Sequence, residues 1–433
     1  MANLQKTRTP DQTRFIEALI PAQINEMAWG KDLRQEHTQA LENLSFPTRK
    51  SEGWKYTQLR GLFKESYQWY SGEASLDLEP YLIPNWEGDI MVFLNGVYQA
   101  QWSDLSRNQD QLLVKAFSQL SEDELAEFNA LKPLASADQS GIFGALNAAG
   151  ATEGVWIKLK RGQQAAAPIH ILHLSQANDQ PLGQQHRNVI QLEASAEAQV
   201  VESFYALGEG KCFRNDATDI HVGPNAGLEW IKLQLQSKTS TAIDTTEVHL
   251  ADDCRFGIYT LTFGGQLIRN NLHLSLDGQN IEAKLMGTYL LDGQQHVDNF
   301  TQVDHRKPNS YSNELYKGIM DETATGVFSG RIHVYQEAQK TNAYQSNRNI
   351  LLTDRANIYT RPQLEIYADD VKCSHGATTG KLEEDAMFYL QARGIPADEA
   401  RKMLIHAYVM EVVDHISLDS VREMVDALIQ ARY

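Results

Sequence analysis

From Val155 to about Val371 the chain reads as one unbroken series of short β-strands. Residues 155–159, 169–172, 228–233, 271–276 and 363–367 alternate along the chain with period two, and Gly, Asn or Asp stand at the breaks. No amphipathic segment of helix length interrupts them. Three architectures accommodate such a region: a sandwich, a barrel or a parallel β-helix. Strand spacing does not choose between them. Strict repeats are absent, which argues against a regular hexapeptide solenoid. An irregular β-helix stays open, because each coil needs only an inward apolar stripe and Gly or Asn at its corners.

The flanks have a different texture. Leu33, Ala40, Leu41 and Leu44 recur at helical spacing behind Asp32, a candidate N-cap, and Pro47 ends the pattern. Residues 45–56 mix Pro, Gly, Arg, Lys and aromatics, as an ordered loop or short helical turn would. Asn95-Gly96 between two apolar runs predicts a hairpin. Ser121 and Glu124 have capping-box spacing ahead of a helix reaching Leu131, and residues 143–149 are again helical. In the tail, a helix over 383–393 stops at Gly394 with Pro396 beyond. Asp398 is read as the cap of a second helix, whose Ala400, Met403, Leu404, Ala407, Tyr408 and Val412 make one apolar stripe. Asp419 is read as the cap of a third, with Val421, Met424, Val425, Leu428 and Ile429 on one side. The resulting division is 1–150, mostly helical with a short hairpin; 151–380, β; and 381–433, a helical domain.

Charge narrows the partners. The 433 residues carry a formal charge of −17, which repels phosphate backbones and anionic membrane surfaces. No apolar run approaches the roughly 18 residues of a transmembrane helix. Residues 1–10 are polar and unlike a secretory leader, so a cytoplasmic location is expected.

Chemistry-bearing motifs are few. Gly376 to Lys381 superficially suggests a phosphate loop, but its glycines are one residue too close and Leu382 stands where Ser or Thr must hold magnesium. Gly208-Glu209-Gly210 reads as a turn. There is no H-E-x-x-H and no G-x-S-x-G. Asp369-Asp370, the nearest thing to paired carboxylates, would point to opposite faces of a strand. The cysteines, Cys212, Cys254 and Cys373, are too few and too dispersed for a four-cysteine site. Cys373 and His375 stand out. On an extended segment, residues two apart share a face, with Cα atoms roughly 6.6 Å apart. Thiolate and imidazole together suit a soft metal such as iron or zinc, or an activated thiolate. Two ligands do not close a site. The bland alternative is a half-buried cysteine beside a loop-bonding histidine.

The run Cys373-Ser374-His375-Gly376-Ala377-Thr378-Thr379-Gly380, followed by Phe388-Tyr389-Leu390 and Arg393-Gly394-Ile395, closely resembles the C-terminal signature of D-type subunits in the SufB/SufD family of iron–sulfur cluster assembly proteins. Pro47-Thr48-Arg49-Lys50-Ser51-Glu52-Gly53-Trp54-Lys55-Tyr56-Thr57 resembles the other signature of that subgroup. B-type subunits carry a scaffold cysteine shortly after an Asp-Arg pair; here Asp354-Arg355 is followed by Ala356. The resemblance implies a mainly β chain, a right-handed parallel β-helix core flanked by N-terminal and C-terminal helical segments that would cover the solenoid's edges. It implies a non-enzymatic subunit that pairs with the paralogue SufB and docks the ATPase SufC on its C-terminal helices, at Leu404, Ala407 and Tyr408, with ATP hydrolysis in SufC. His375 first, and Cys373 second, would contact a nascent iron–sulfur cluster shared with SufB, no cofactor being held by this chain alone. A purely structural scaffold is the alternative, and a homodimer of the isolated chain stays open.

Overall fold

The computed structural model describes residues 8–432, apart from 23, 25, 26, 73, 74, 109–111 and 132–136. In chain order the N-terminal elements are α1 (Pro10–Leu19), α2 (Lys31–Leu41), β1 (Asp89–Leu94), β2 (Val97–Tyr98), β3 (Leu113–Ala116), α3 (Glu122–Asn129) and α4 (Ala137–Gly150). Then come β4 (Glu153–Leu159), β5 (Ile169–Gln176), β6 (Leu182–Leu192), β7 (Glu197–Leu207), β8 (Cys212–Val222), β9 (Gly227–Leu235), β10 (Thr241–Leu250) and β11 (Arg255–Thr262). The later strands are β12 (Leu267–Leu276), β13 (Glu282–Leu291), β14 (His296–His305), β15 (Tyr311–Met320), β16 (Thr325–Val334), β17 (Asn342–Leu351), β18 (Asn357–Ile366) and β19 (Lys372–Gly380). The tail is α5 (Glu384–Ala392), α6 (Ala397–Val413) and α7 (Asp419–Arg432).

From β4 onward successive strands alternate between two sheets. One is ordered β19-β17-β15-β13-β11-β9-β7-β5-β1-β2, the other β18-β16-β14-β12-β10-β8-β6-β4-β3. Each strand pairs in parallel with the next strand but one, as β13 does with β15 and β14 with β16. That is a parallel β-solenoid, which decides among the three architectures the strand pattern allowed. Inward positions stack coil upon coil into a core containing Ile171, Val200, Trp230, Ile258, Leu285 and Phe328. The core also admits charge where it is paired: Lys232 holds Asp244 at 2.5 Å and Arg214 holds Asp216 at 2.6 Å.

Several local expectations are met. Asn95 and Gly96 have φ of 51° and 76°, both in the left-handed region that a tight hairpin demands, and β1 pairs antiparallel with β2. Ser121 and Glu124 form the capping box of α3. Gly394, at φ 87°, follows the end of α5. Gly208 sits in a turn.

Other expectations are corrected. The N-cap of α2 is Gly30, at φ 66°, and Asp32 lies in the first turn; Arg34 and His37 join Leu41 on its buried side. The helix α6 starts after Pro396, with Asp398 in its first turn. Its buried side is Ala400, Ile405, Val409, Val412 and Val413. Leu404 and Tyr408 are half-buried, while Met403 and Ala407 are exposed, so the stripe read from the sequence mixes two faces. The reason is that α6 packs against both α7 and the sheet, which sets the arc in contact. Asp369 and Asp370 lie in the bend between β18 and β19, not on a strand.

The helical segments cover faces, not the final edge. At the start, β2 and β3 pair antiparallel onto the first strands and close them. α1 and α4 pack on the outer face of the nine-stranded sheet, against Phe213 and Ile243. α6 and α7 pack on the outer face of the ten-stranded sheet, against Ile231, Leu233, Leu261, Met286, Leu290 and Ile319. An amphipathic helix needs a broad apolar face, and those strands supply it. β18 and β19 stand last in their sheets, so the terminal coil keeps two unpaired edges.

Candidate functional site

β19 positions the Cys-x-His pair. It is paired on one side only, with β17, in the register Ala343 to Cys373 and Gln345 to His375. Ala343 and Gln345 are inward positions, buried in the solenoid, so Cys373 and His375 occupy the inward side of the last strand. With no further coil above them, His375 is exposed and Cys373 half-buried against the end of the core. His375 makes no side-chain hydrogen bond or ion pair among the described residues. The stretch Gly376–Gly380 is extended β19 backbone and not a phosphate-cradling loop.

The three thiols differ in access. Burial pushes Cys212 up to about 11 and Cys254 up to about 12, and both are enclosed. Burial also raises Cys373, but it is the one thiol that solvent reaches. A thiol of raised pKa becomes a ligand when a cation or another chain's charge favours the thiolate. Among the described residues no three His, Cys, Asp or Glu side chains converge as a metal site.

The N-terminal signature reaches the same coil from outside. Residues 52–57 run over the outer face of the nine-stranded sheet. The Gly53 carbonyl accepts a 2.8 Å bond from Arg269 on β12, and the Arg269 guanidinium lies 4.5 Å from the Trp54 ring. Arg269 in turn holds Asp298 at 2.5 Å, and Asp298 accepts from the Thr57 hydroxyl. Tyr56 stacks on Tyr359 of β18 at 4.1 Å, and Glu52 pairs with Arg361. Two signatures more than three hundred residues apart thus both bear on the last coil: one builds β19, the other pins β18.

Leu404, Ala407 and Tyr408 lie apart from this pair, on α6. Beneath them Lys317, on the outer face of β15, pairs with Glu411 of α6, and its ammonium sits 3.7 Å from the centre of the Tyr408 ring. Apolar exposure follows the same end of the molecule. Among the described residues, every exposed large apolar side chain lies between Tyr335 and Met403, with Phe388 at 72% and Tyr367 at 62% the most open. Exposed apolar side chains mark interaction surfaces where they gather into a contiguous area.

Comparison with known proteins agrees with this geometry. The SufBD core domain of SUF-system FeS cluster assembly matches residues 173–408, and the SufBD N-terminal region matches residues 16–171. The chain belongs to the SufBD family. It is 32% identical to the iron-sulfur cluster assembly protein SufD of Escherichia coli over 92% of each chain. It is 31% identical to a SufBD family protein of Synechocystis, over 90% of this chain and 88% of that one. A chloroplastic Arabidopsis protein, ABCI7, is 31% identical over 66% of this chain and 62% of its own. This SufBD chain is therefore SufD-like, as its two signatures imply. Among its described residues no helix is long and apolar enough to cross a membrane.

Sequence reasoning missed what stands behind β19. Glu314 and Gln345 are buried inward residues of β15 and β17 in the same register column as His375. Their separations of about thirty residues follow coil length, which varies, so no fixed spacing announces them. Their sequence neighbours, Asn313 beside Glu314 and Ser346 and Asn347 after Gln345, are themselves polar, so composition gave no signal either.

Proposed function

We propose that this chain is a non-catalytic assembly subunit that pairs with a SufB-type paralogue across its open terminal coil. There it presents His375 first, and Cys373 second, to a nascent iron–sulfur cluster that the paralogue's own ligands complete. A SufC-type ATPase docks on α6 at Leu404, Ala407 and Tyr408, and ATP hydrolysis belongs to that partner. The complex would work in the bacterial cytoplasm. The observation that carries this reading is the placement of an exposed imidazole and a reachable thiol on the inward side of an edge strand that is paired on one side only. Imidazole and thiolate are both competent iron ligands, and two of them leave coordination for a second chain to fill. The exposed apolar side chains from Tyr335 to Met403 support burial of this end against partners.

The test is His375→Ala in a purified complex with both partners, scored by iron and acid-labile sulfide per complex. A large loss with assembly intact is expected; undiminished yield refutes the ligand role and leaves a structural scaffold. For docking, Ala407→Glu is the cleaner probe, since Ala407 is exposed and its replacement spares the packing under α6. It should release the ATPase in a pull-down while the paralogue stays bound; full retention of the ATPase refutes the assignment of this face.

A further inference from the structure

Parallel in-register pairing stacks the same inward position from coil to coil. One such column on the ten-stranded sheet runs Trp230, Ile258, Leu285, Glu314, Gln345, His375. It is apolar for three strands and then changes character. Glu314 is 1% exposed and Gln345 3%. Gln345 Nε2 donates to Glu314 Oε2 at 2.6 Å, while Gln345 Oε1 has no partner among the described residues. A buried acceptor without a donor loses the hydrogen bonds that water would give it, and so costs stability. The fold also makes room for this amide: a Cβ on Gly330 of β16 would overlap it. The donor end of Gln345 is committed to β15. The acceptor end is left for the next strand, where the register partner is His375, about 4.8 Å away across the sheet.

We infer that Gln345 is the positioning residue of His375: its Oε1 accepts the N–H of one imidazole nitrogen and thereby leaves the lone pair of the other nitrogen for iron. In this arrangement the His375 side chain, exposed in the isolated chain, turns inward about its χ angles over its register partner. Metal-binding histidines are generally held this way, the second ring nitrogen donating to a carbonyl or carboxylate that fixes the tautomer. Glu314 orients the amide from behind. Burial pushes its carboxyl up to about 7, against the pull of its hydrogen bond from Gln345. The lone pair's use by iron rests on the proposed function; the hydrogen bond does not.

The test reads the tautomer directly, in the full chain without metal. Histidine is labelled with 15N, and His375 is assigned by the signals lost in His375→Asn. Long-range proton–nitrogen correlations then report which nitrogen carries the proton. Wild type should favour one tautomer at least tenfold. Gln345→Met, which keeps the volume and removes the acceptor, should return His375 to the ratio of free imidazole. Gly330→Ala, which displaces the amide and leaves Gln345 in place, should do the same and serves if the first variant fails to fold. A wild-type His375 already divided between tautomers, or one unchanged in a folded variant, overturns the inference. The two readings separate cleanly. A tautomer shift with full cluster yield in His375→Ala sinks the ligand role alone. Lost yield in His375→Ala with an insensitive tautomer sinks the role of Gln345 alone.

Discussion

The joint between α6 and the solenoid hangs on a lysine that is almost wholly enclosed. The Lys317 side chain is 2% exposed, under the Tyr408 ring and paired with Glu411, while Glu411 is 46% exposed and also reaches Arg348 at 3.0 Å. Burial pulls the Lys317 pKa down, and Glu411 works against that pull. Glu411→Gln removes the counter-charge and leaves an ammonium enclosed beside a second cation. Stripping one partner from a fully buried pair costs about 3–5 kcal/mol; pairs with an exposed member are worth about 0–1 kcal/mol. Glu411 is half in water, so the expected cost is about 2 kcal/mol, concentrated at this joint. That corresponds to an opening roughly 30-fold more frequent. Hydrogen–deuterium exchange by mass spectrometry measures it: peptides of α6 should exchange roughly 30-fold faster while those of β5 to β9 are unchanged. In a Lys317→Met background the same Glu411→Gln change should cost under about 0.5 kcal/mol, because no buried charge is left to strand. Unchanged α6 exchange in the single variant, or equal acceleration in both backgrounds, refutes the reasoning.

Three further outcomes follow from other parts of the structure. His273 is held between Glu247 at 2.8 Å and Asp304 at 3.1 Å; burial opposes its charge, but the two carboxylates outweigh burial and push it up to about 9. Its contribution to stability is therefore full below about pH 6.5 and is lost as pH rises through about 9, so His273→Gln should lower the melting temperature clearly at pH 6 and hardly at pH 10. Gly318 lies against the Tyr289 ring, where a Cβ would overlap it; Gly318→Ala should destabilise by about 1–3 kcal/mol in chemical denaturation. Tyr56→Ala removes the stack on Tyr359, worth about 0.5–1.5 kcal/mol beyond area burial, and limited proteolysis should then cut within residues 48–60 sooner than in wild type.

Much of the architecture could be read from residues because turn chemistry is local. Asn95-Gly96, the Ser121 to Glu124 box and Gly394 each act within a few positions, and each is where it was expected. What stayed hidden depends on partners far away in the chain. Ile169 to Leu172 is buried on both faces, Ile169 and Ile171 in the solenoid, His170 against Trp86 and Leu172 under the N-terminal segments, so alternation of residue type there does not report exposure. The buried side of α6 was misread for the same reason: Leu404, Ala407 and Tyr408 look equivalent to Ala400 and Val412 until α7 and the sheet select Ile405, Val409 and Val413.

The Cys-x-His pair shows the limit most sharply. Its shared face follows from β periodicity alone, yet periodicity does not say whether that face meets a neighbour or solvent. Topology decides it. The inward positions of β17 that pair with it are sealed, as Ala343 and Gln345 are, whereas the same side of β19 has no coil above it. An interior position has thereby become a surface position without any change of strand geometry. It retains the polar ladder of Glu314 and Gln345 behind it and presents outward whatever residue ends the column. A second solenoid end apposed there would bury His375 between two chains and supply the low dielectric in which the inferred hydrogen bond to Gln345 would be strongest. The open edge and the polar column are thus complementary in the proposed function: one would admit a partner, and the other would fix what that partner meets.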